Sequence, residues 1–214
     1  MKRGKFITIE GGEGTGKSTQ ARLLAKGLEA AGIDVLVTRE PGGSPGAEEI
    51  RTLLVTGGTG RWSPMTEALL HYAARREHLD KTVLPALKAG RWVISDRFAD
   101  STMAYQGYGH GLGRKTVSAL HRLVVGDFTP DLTLILDMPE EVGLSRAGHR
   151  ADGEDRYERM GMAFHERVRN GFMDIAHRDL RRCTAIMATG SVEQVQTVLR
   201  EIVEETFEVD LPLP

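Results

Sequence analysis

The sequence predicts an α/β fold in which a five-stranded parallel sheet is covered by helices on both faces. Three observations favour this fold class. Short apolar segments alternate with longer segments of helical periodicity, the apolar segments are nearly continuous, and no repeat or interdomain linker divides the chain. Parallel strands joined through helices take right-handed crossovers, and ligands bind beyond the carboxyl ends of such strands. The functional residues are therefore expected to follow the strands.

The predicted elements alternate along the chain. Predicted strands cover residues 5–10, 34–38, 92–95, 131–137 and 184–188. Predicted helices cover residues 17–31, 45–56, 64–89, 115–125, 139–147, 157–181 and 192–206. In the first helix Leu24 and Leu28 have helical spacing and Gly32 marks its end, while a Gly- and Pro-rich stretch over 57–64 separates the second helix from the third. Residues 96–113 are polar and Gly-rich, and their later glycines indicate a mobile stretch: Gly107, Gly109, Gly111 and Gly113.

Composition restricts the class of protein. The 214 residues include 28 basic and 30 acidic side chains, so the net charge of −2 argues against a protein that coats a nucleic acid polymer or an anionic membrane. The single cysteine, Cys183, excludes an intrachain disulfide framework and suits a reducing, cytoplasmic location. No apolar run approaches the length of a spanning helix, so no membrane association is expected. We expect one domain over 1–214.

A phosphate-binding loop follows the first strand. Residues 11–18 fill the pattern G-x-x-x-x-G-K-[ST] and open a helix, which predicts a three-layer P-loop NTPase fold. Backbone N–H groups of such a loop and the helix N-terminus bind phosphates, Lys17 bridges the β- and γ-phosphates of ATP, and Ser18 holds Mg²⁺. The alternative is a glycine-rich turn with a surface lysine. The predicted nucleotide-binding residues are Gly11, Gly12, Glu13, Gly14, Thr15, Gly16, Lys17, Ser18 and Thr19.

Charged residues also follow the second and third strands. Arg39 comes after the second strand, and Asp96 and Arg97 end the third. Asp96 is placed to hold the metal or orient Ser18, and Arg97 can bind an acceptor phosphate bidentately. A surface Asp–Arg pair is the alternative. A GTPase switch would need N-K-x-D and D-x-x-G segments, which the sequence lacks, whereas a kinase of a small substrate needs such extra arginines.

Together these motifs resemble bacterial thymidylate kinases. The resemblance runs from about Phe6 to Leu199. Besides the phosphate loop, the segments that carry it are Thr38-Arg-Glu-Pro-Gly-Gly43, Tyr72-Ala-Ala-Arg75, Asp96-Arg97-Phe98, Tyr105-Gln-Gly107 and Pro130-Asp-Leu-Thr-Leu134. The family phosphorylates dTMP to dTDP with ATP and Mg²⁺ in dTTP synthesis, and its members are usually homodimers. The resemblance therefore implies this activity, these cofactors and a homodimer.

The resemblance also implies roles for single residues at the dTMP site. Arg97 and Arg39 contact the dTMP phosphate, and Glu13 reaches the sugar 3′-hydroxyl or steadies the phosphate-binding arginine. A carboxylate beside a triphosphate needs a partner, so an arginine or hydroxyl is predicted at Glu13. The other implied contacts are Arg75, Thr102 and Gln106 to thymine and Tyr105 beside the sugar 2′ position.

One position departs from the family pattern. Where many members have a phenylalanine that stacks on thymine, this sequence has His71, followed by Tyr72. Either ring could stack on the base, or either could simply pack between helices.

A charged, glycine-containing segment over about 145–158 is predicted to form a lid. Arginines there would act in cis on the transferred phosphoryl group, and Arg150 is the first candidate, followed by Arg146 and Arg156. Surface salt bridges are the alternative for each arginine. The leading hypothesis is a thymidylate kinase. The alternatives are a kinase of another nucleotide or nucleoside and a nucleotide-binding regulatory protein without catalysis.

Overall fold

The structure is a computed structural model that describes residues 3–148 and 155–212. One parallel sheet forms the centre of this part of the chain. Its strands are β1 (Phe6–Gly11), β2 (Val35–Arg39), β3 (Trp92–Asp96), β4 (Leu132–Asp137) and β5 (Cys183–Met187). They lie in the order β2-β3-β1-β4-β5, and every neighbouring pair is parallel. The predicted fold class is confirmed, and both ends of each predicted strand lie within one residue of the observed ends.

The register brings the predicted site residues to one edge of the sheet. β1 lies in the middle and all six of its residues are buried. Asp96 is opposite Ile9 of β1 and opposite Arg39 of β2. The phosphate loop leaves β1 two residues beyond Ile9, so the loop, Arg39 and Asp96 start from neighbouring strand ends.

Helices cover both faces of the sheet. They are α1 (Lys17–Ala30), α2 (Pro45–Val55), α3 (Pro64–His78), α4 (Leu84–Lys88), α5 (Ala99–Thr102), α6 (Arg114–Val124), α7 (Glu140–Ala147), α8 (Met162–Arg178) and α9 (Val192–Phe207). Within the described ranges, no helix has the length and apolar character needed to cross a membrane.

Alternation along the strands divides the core into layers. Ile7 and Ile9 pack with α1 and α9 on one face, whereas Phe6 packs with α3 and α6 on the other. A further cluster under α8 includes Ile135 and Phe172. Because successive strand residues point to opposite faces, a central strand buried on both sides has apolar residues directed to both, as Phe6, Ile7 and Ile9 of β1 are.

The predicted helix over 64–89 contains a π-helical turn at Leu79–Val83 between α3 and α4. Pro85 follows this turn and lacks the N–H that a regular helix would use. The wider turn lets the chain continue in a helical path past the proline. α3 itself starts as predicted, because Ser63 accepts a hydrogen bond from the Thr66 N–H and Pro64 occupies the first turn.

The passage over 96–113 is more ordered than its composition indicates. α5 and a π-helical segment, Met103–Gly109, occupy most of it, and both pack against α8. The prediction of a mobile stretch is wrong for Gly107 and Gly109, which are buried. A Cβ atom on Gly109 would lie 2.7 Å from the Phe164 ring, so this glycine permits close packing against α8.

The long predicted helix over 157–181 is shorter at both ends, because α8 begins at Met162 and ends at Arg178. Residues 155–161 form mainly turns, and Tyr157 and Glu158 among them line a cavity beside the phosphate loop. Of the predicted lid, residues 149–154 lie outside the described residues, and with them Arg150, the first candidate for a lid arginine.

Candidate functional site

A cavity of about 250 Å³ opens beside the phosphate loop at the carboxyl edge of the sheet. The loop, β3, α3 and the segment after β3 all contribute to its walls. The predicted residues that line it are Glu13, Lys17, Ser18, Arg39, His71, Arg75, Asp96, Arg97, Thr102, Tyr105 and Gln106. Residues predicted separately from four segments of sequence are therefore brought to one site.

The phosphate loop requires glycine at the positions where it turns. Gly14 has a φ of 67°, and a Cβ atom there would overlap the carbonyl oxygen of Gly143 in α7. Gly16 has a φ of 90° and precedes the first residue of α1, Lys17. The loop thus directs its backbone toward the helix N-terminus, which is the arrangement that binds phosphates.

Lys17 is buried at the start of α1. Its Nζ donates hydrogen bonds to the Gly12 carbonyl oxygen at 2.5 Å and to Thr15 Oγ1 at 3.3 Å. Burial and the nearby Arg97 charge lower the pKa of Lys17 to about 8, although Glu13 and Asp96 oppose this shift. The ammonium group therefore gains stabilisation when an anion is added beside it.

Ser18 and Asp96 lie together at the mouth of the same loop. Ser18 Oγ donates a short hydrogen bond to the carboxylate of Asp96. Hydroxyl and carboxylate oxygens are the ligands that Mg²⁺ prefers, and Mg²⁺ in nucleotide sites takes few protein ligands besides phosphate and water. The two residues present therefore fit the predicted metal.

Arg97 is held in an unusual backbone conformation directly after β3. Its φ of 72° is left-handed, which is costly for a residue other than glycine. Its N–H donates to the Ile9 carbonyl oxygen and its own carbonyl oxygen accepts from Ser95 Oγ at 2.7 Å. These bonds direct the side chain back over the loop, where Nη1 donates to the Gly11 carbonyl oxygen at 2.9 Å.

Glu13 has the partners that its position requires. Arg97 Nη2 lies 3.0 Å from Glu13 Oε1, and the Tyr105 hydroxyl donates to the same oxygen at 2.7 Å. Burial opposes ionisation, but the charges of Arg97 and Lys17 and the Tyr105 hydrogen bond lower the pKa of Glu13 to about 2. The prediction of an arginine or hydroxyl partner for Glu13 is confirmed.

Glu10 holds the segment that follows Arg97, a role that the sequence did not predict. It is fully buried in β1 and accepts hydrogen bonds from the Phe98 N–H at 2.8 Å and from Ser101 Oγ at 2.5 Å. Burial and the charge of Asp100 raise the pKa of Glu10 to about 7. The sequence of β1 is typical of a buried strand. A carboxyl group at the end of such a strand does not indicate that it holds the segment after Arg97 in place.

Two further arginines line the cavity on the side of α2. Arg39 Nη2 donates to Glu48 Oε2 at 3.0 Å, and Arg51 Nη1 donates to the Pro41 carbonyl oxygen at 2.8 Å. Arg39 was predicted, but Arg51 was not, because it lies in mid-helix with ordinary amphipathic spacing. The positive φ values of Gly42 and Gly43 turn the segment between these arginines back toward α3.

The wall opposite the loop is formed by buried polar side chains. Arg75 Nε donates to Glu40 at 2.7 Å, and its Nη2 donates to Thr102 Oγ1 at 3.0 Å and to a backbone carbonyl. Gln106 Nε2 donates to Glu67 at 2.8 Å. Arg75 Nη1 and Gln106 Oε1 are buried and have no hydrogen-bond partner among the described residues. This wall therefore offers one donor and one acceptor to a ligand.

His71 and Tyr72 have different environments. His71 lines the cavity, and its Nε2 lies 2.8 Å from the Tyr157 hydroxyl. Burial, opposed by Glu67, lowers the pKa of His71 to about 4, so the ring is neutral at pH 7. Tyr72 is 1% exposed in the core, where its hydroxyl donates to the Val117 carbonyl oxygen. The proposed substrate contact through Tyr72 is wrong, because its ring lies behind Arg75 and away from the cavity.

Two of the predicted lid arginines, Arg156 and Arg146, lie within the described residues, and Arg156 is part of the folded core. Its guanidinium is fully buried, ion-paired with Glu67, and donates to the carbonyl oxygens of Leu54, Gly58 and Thr59. The prediction of a mobile arginine at Arg156 is wrong, because this anchoring joins the chain after the lid to the loop between α2 and α3. Arg146 is exposed in the last turn of α7.

Known proteins that are similar to this chain are thymidylate kinases. A family model described as thymidylate kinase matches residues 9–199. A thymidylate kinase of Caulobacter vibrioides is 54% identical over 203 residues, covering 95% of this chain and 97% of its own, and one of Ruegeria pomeroyi is 54% identical over 200 residues, covering 94% of each. The crystal structure of the Ehrlichia chaffeensis thymidylate kinase superposes with a TM-score of 0.76 at 36% identity, covering 94% of this chain and 99% of its own.

Proposed function

The chain belongs to the thymidylate kinase family, and we propose that the cavity beside the phosphate loop is its dTMP site. The enzyme transfers the γ-phosphoryl group of ATP to dTMP, giving dTDP and ADP. One observation carries the site assignment: a single cavity combines the cations Lys17 and Arg97 at one end with the unpartnered polar atoms of Arg75 and Gln106 at the other. Such a cavity suits a molecule with a phosphate and a polar ring.

The phosphate of dTMP binds at the loop end, with Arg97 as its main contact and Arg39 as the second. A phosphate oxygen of dTMP attacks the γ-phosphorus of ATP, and the bond to the β–γ bridging oxygen breaks with its electron pair leaving on ADP. Because the acceptor phosphate is ionised at neutral pH, no general base is required. Glu13 steadies Arg97 through its 3.0 Å ion pair, which keeps the guanidinium aimed at the acceptor.

The ATP phosphates bind along residues 11–19. The backbone N–H groups at the start of α1 surround the phosphates, and Lys17 neutralises the charge that develops between the β- and γ-phosphoryl groups. Lys17, whose pKa is lowered to about 8 by burial and by Arg97, becomes more firmly protonated beside this polyanion. The binding energy of ATP thus includes the relief of an unfavourable buried charge.

Mg²⁺ is the proposed metal, held by Ser18 Oγ and Asp96. When bound, the metal ion neutralises the β- and γ-phosphate oxygens. Asp96 also orients the Ser18 hydroxyl, since their hydrogen bond fixes the side-chain rotamer of Ser18.

The base of dTMP lies against the opposite wall. Arg75 Nη1 donates to the O4 oxygen of thymine, and Gln106 Oε1 accepts from its N3–H. Thr102 completes this wall by fixing Arg75 Nη2. The neutral His71 ring packs on the base, and Tyr105, which is tied to Glu13, occupies the space beside the sugar 2′ position.

Arginines of the predicted lid are proposed to bind the transferred phosphoryl group. The lid's proposed phosphoryl-binding arginines are Arg150 and Arg146, on the strength of the sequence alone. Arg150→Ala should lower kcat much more than it raises KM for dTMP, because such an arginine acts mainly in the transition state.

A coupled assay of ADP formation with dTMP, dUMP, dCMP, dAMP and dGMP tests the function. We expect a clear preference for dTMP. Equal activity with several monophosphates would contradict the assignment of dTMP as the substrate. A preference for an unphosphorylated nucleoside would leave Arg97 without a role. ATP binding without turnover on any acceptor would favour a regulatory protein.

We also propose a homodimer in the cytoplasm. The family resemblance implies the dimer, and Met65 and Leu69, one turn apart on α3 and 39% and 49% exposed, are candidates for its interface. Light scattering after size-exclusion chromatography should give twice the mass of the chain, and Leu69→Lys should weaken the association. The lone thiol, Cys183, is buried and typical of a reducing compartment.

A further inference from the structure

Glu67 is a buried carboxylate whose hydrogen-bond and ion-pair partners come from two other segments of the chain. It lies on α3 and its side chain is 0% exposed. Oε1 accepts from Gln106 Nε2 at 2.8 Å and lies 3.1 Å from His110 Nε2, while Oε2 accepts from Arg156. Glu67 does not itself line the cavity among the described residues, so its effect on a ligand must pass through Gln106.

The ionisation of Glu67 determines how the Gln106 amide can be oriented. Burial opposes the charge, but the hydrogen bonds with His110 and Arg156 lower the pKa of Glu67 to about 2. An ionised carboxylate only accepts hydrogen bonds, so the amide must present its NH₂ group to Glu67. Gln106 Oε1 then points away from Glu67, and it is buried without a partner in a residue that lines the cavity.

We propose that Glu67 is a positioning residue for base selectivity, which fixes Gln106 with its oxygen toward the cavity and so selects a pyrimidine with a hydrogen on N3. This inference rests on the proposed binding of dTMP in this cavity. Thymine and uracil carry N3–H as a donor and O4 as an acceptor. Cytosine carries an N3 acceptor and a 4-amino donor, so both of its groups oppose the wall.

The second polar group of the wall is fixed in the same way. Arg75 can only donate, and Glu40 holds its Nε at 2.7 Å while Thr102 takes Nη2, which leaves Nη1. Each of the two side chains proposed to contact the base is therefore held by a buried carboxylate: Arg75 by Glu40 and Gln106 by Glu67. Arg75 cannot be reversed by changing its carboxylate, because guanidinium has no acceptor, whereas Gln106 can. Glu67 is thus the point where selectivity can be inverted.

Glu67→Gln should turn the Gln106 amide over. The carbonyl oxygen of the new side chain stays with Arg156, because a buried guanidinium needs an acceptor. Its NH₂ group then takes the place of Oε1 and faces Gln106, whose oxygen must turn toward it. Gln106 would then present NH₂ to the cavity, which suits the N3 of cytosine.

The experiment compares kcat/KM for dTMP and dCMP in the full-length wild-type enzyme and in Glu67→Gln. We expect the dTMP:dCMP ratio to fall at least tenfold. The swap variant Glu67→Gln/Gln106→Glu restores an acceptor facing the cavity, because the new carboxylate accepts from the new amide and presents its other oxygen. Its ratio should return to within threefold of the wild type. Glu77→Gln, the same change elsewhere on α3, is the control and should leave the ratio unchanged.

The ratio of two kcat/KM values does not depend on the amount of folded enzyme, so partial unfolding does not obscure the result. A ratio within threefold of wild type in Glu67→Gln would overturn the proposal, and so would a swap variant that keeps the reduced ratio. If Glu67→Gln gives no folded enzyme, the swap variant decides, and a tenfold fall there contradicts the inference. Loss of dTMP preference in the wild type would instead contradict the proposed function.

Discussion

The two ends of the cavity are built in different ways. At the phosphate end, Asp96 and Arg97 lie at the end of β3, and Lys17 and Ser18 lie in the first turn of α1, directly after the phosphate loop. At the base end, buried side chains of α3, of the segment after β3 and of the turns over 155–161 hold one another through long-range hydrogen bonds. The Glu67–Arg156 pair, across 89 residues, is one of these. The first end depends on backbone geometry, and the second depends on a network of buried charges.

The two ends of the cavity should therefore differ in how a substitution affects stability and activity. A buried ion pair that loses one partner leaves an uncompensated charge in the core, so the base end should be costly to change. The phosphate end already contains a strained backbone at Arg97 and a lysine whose pKa burial depresses. Removing groups there should reduce activity with little loss of stability, or with a gain.

Arg156→Met should give the largest effect, a loss of about 3–5 kcal/mol in the free energy of unfolding, because Glu67 would remain charged and buried without its main partner. Urea denaturation measures this loss. Arg159→Met is the matched control, since the Arg159 pair with Asp155 is half exposed and should contribute less than about 1 kcal/mol. A hundredfold fall in kcat without loss of stability would return Arg156 to the lid arginines.

Lys17→Met tests the opposite behaviour at the phosphate end. We expect kcat to fall by about 10²–10³-fold, the usual loss for one group that stabilises transition-state charge. The melting temperature should stay the same or rise, because the folded state disfavours the charged lysine: its pKa falls from 10.5 to about 8. Between pH 8 and 10.5 the contribution of Lys17 to the stability of the wild type rises with pH, and the variant should lack this contribution.

Lys26→Met on the exposed face of α1 is the control for this variant and should change neither quantity. A fall of more than about 5 °C in the melting temperature of Lys17→Met would mean that Lys17 stabilises the fold, and the contrast between the two ends would fail.

The same contrast explains how much could be predicted from the sequence. The strands, the phosphate loop, Arg39 and Arg97 follow from local patterns, because hydrophobic periodicity and a loop motif fix backbone geometry over a few residues. The structural roles of Glu10, Glu67 and Arg156 did not follow, because a charged residue is expected to be solvent-exposed until its distant partner is known. The order of the Met103–Gly109 segment was missed for a similar reason, since its glycines are explained only by their contact with α8.

Arg97→Lys should cost about 10²-fold in kcat/KM for dTMP, mainly through KM, because lysine keeps the charge but cannot bind a phosphate through two parallel N–H groups. The KM for ATP should change little. Steady-state kinetics with each substrate varied in turn measures both. Arg114→Lys, at a surface pair with Asp174, should leave both constants unchanged. An equal rise in both KM values would show that Arg97 organises the whole loop and not the acceptor site alone.

His71→Phe should have the smallest effect at pH 7 and a larger one in acid. Phenylalanine keeps a ring against the base and loses only the hydrogen bond to Tyr157, so kcat/KM should stay within about threefold. The folded state lowers the pKa of His71 to about 4, chiefly through burial, so the unfolded chain binds its proton first as the pH falls below 6.5. The wild type therefore loses stability from this group between pH 6.5 and 4.

Urea denaturation at pH 7 and pH 5.5 should show that His71→Phe gains about 1 kcal/mol relative to the wild type over this interval. Tyr157→Phe is the matched control, because it removes the same hydrogen bond and leaves the imidazole in place, so the pH dependence of the wild type should persist. If both variants changed the pH dependence equally, the hydrogen bond and not the buried imidazole would be its source. The base end would then owe its acid sensitivity to Tyr157, and the neutral ring proposed to pack on thymine would lose its physical basis.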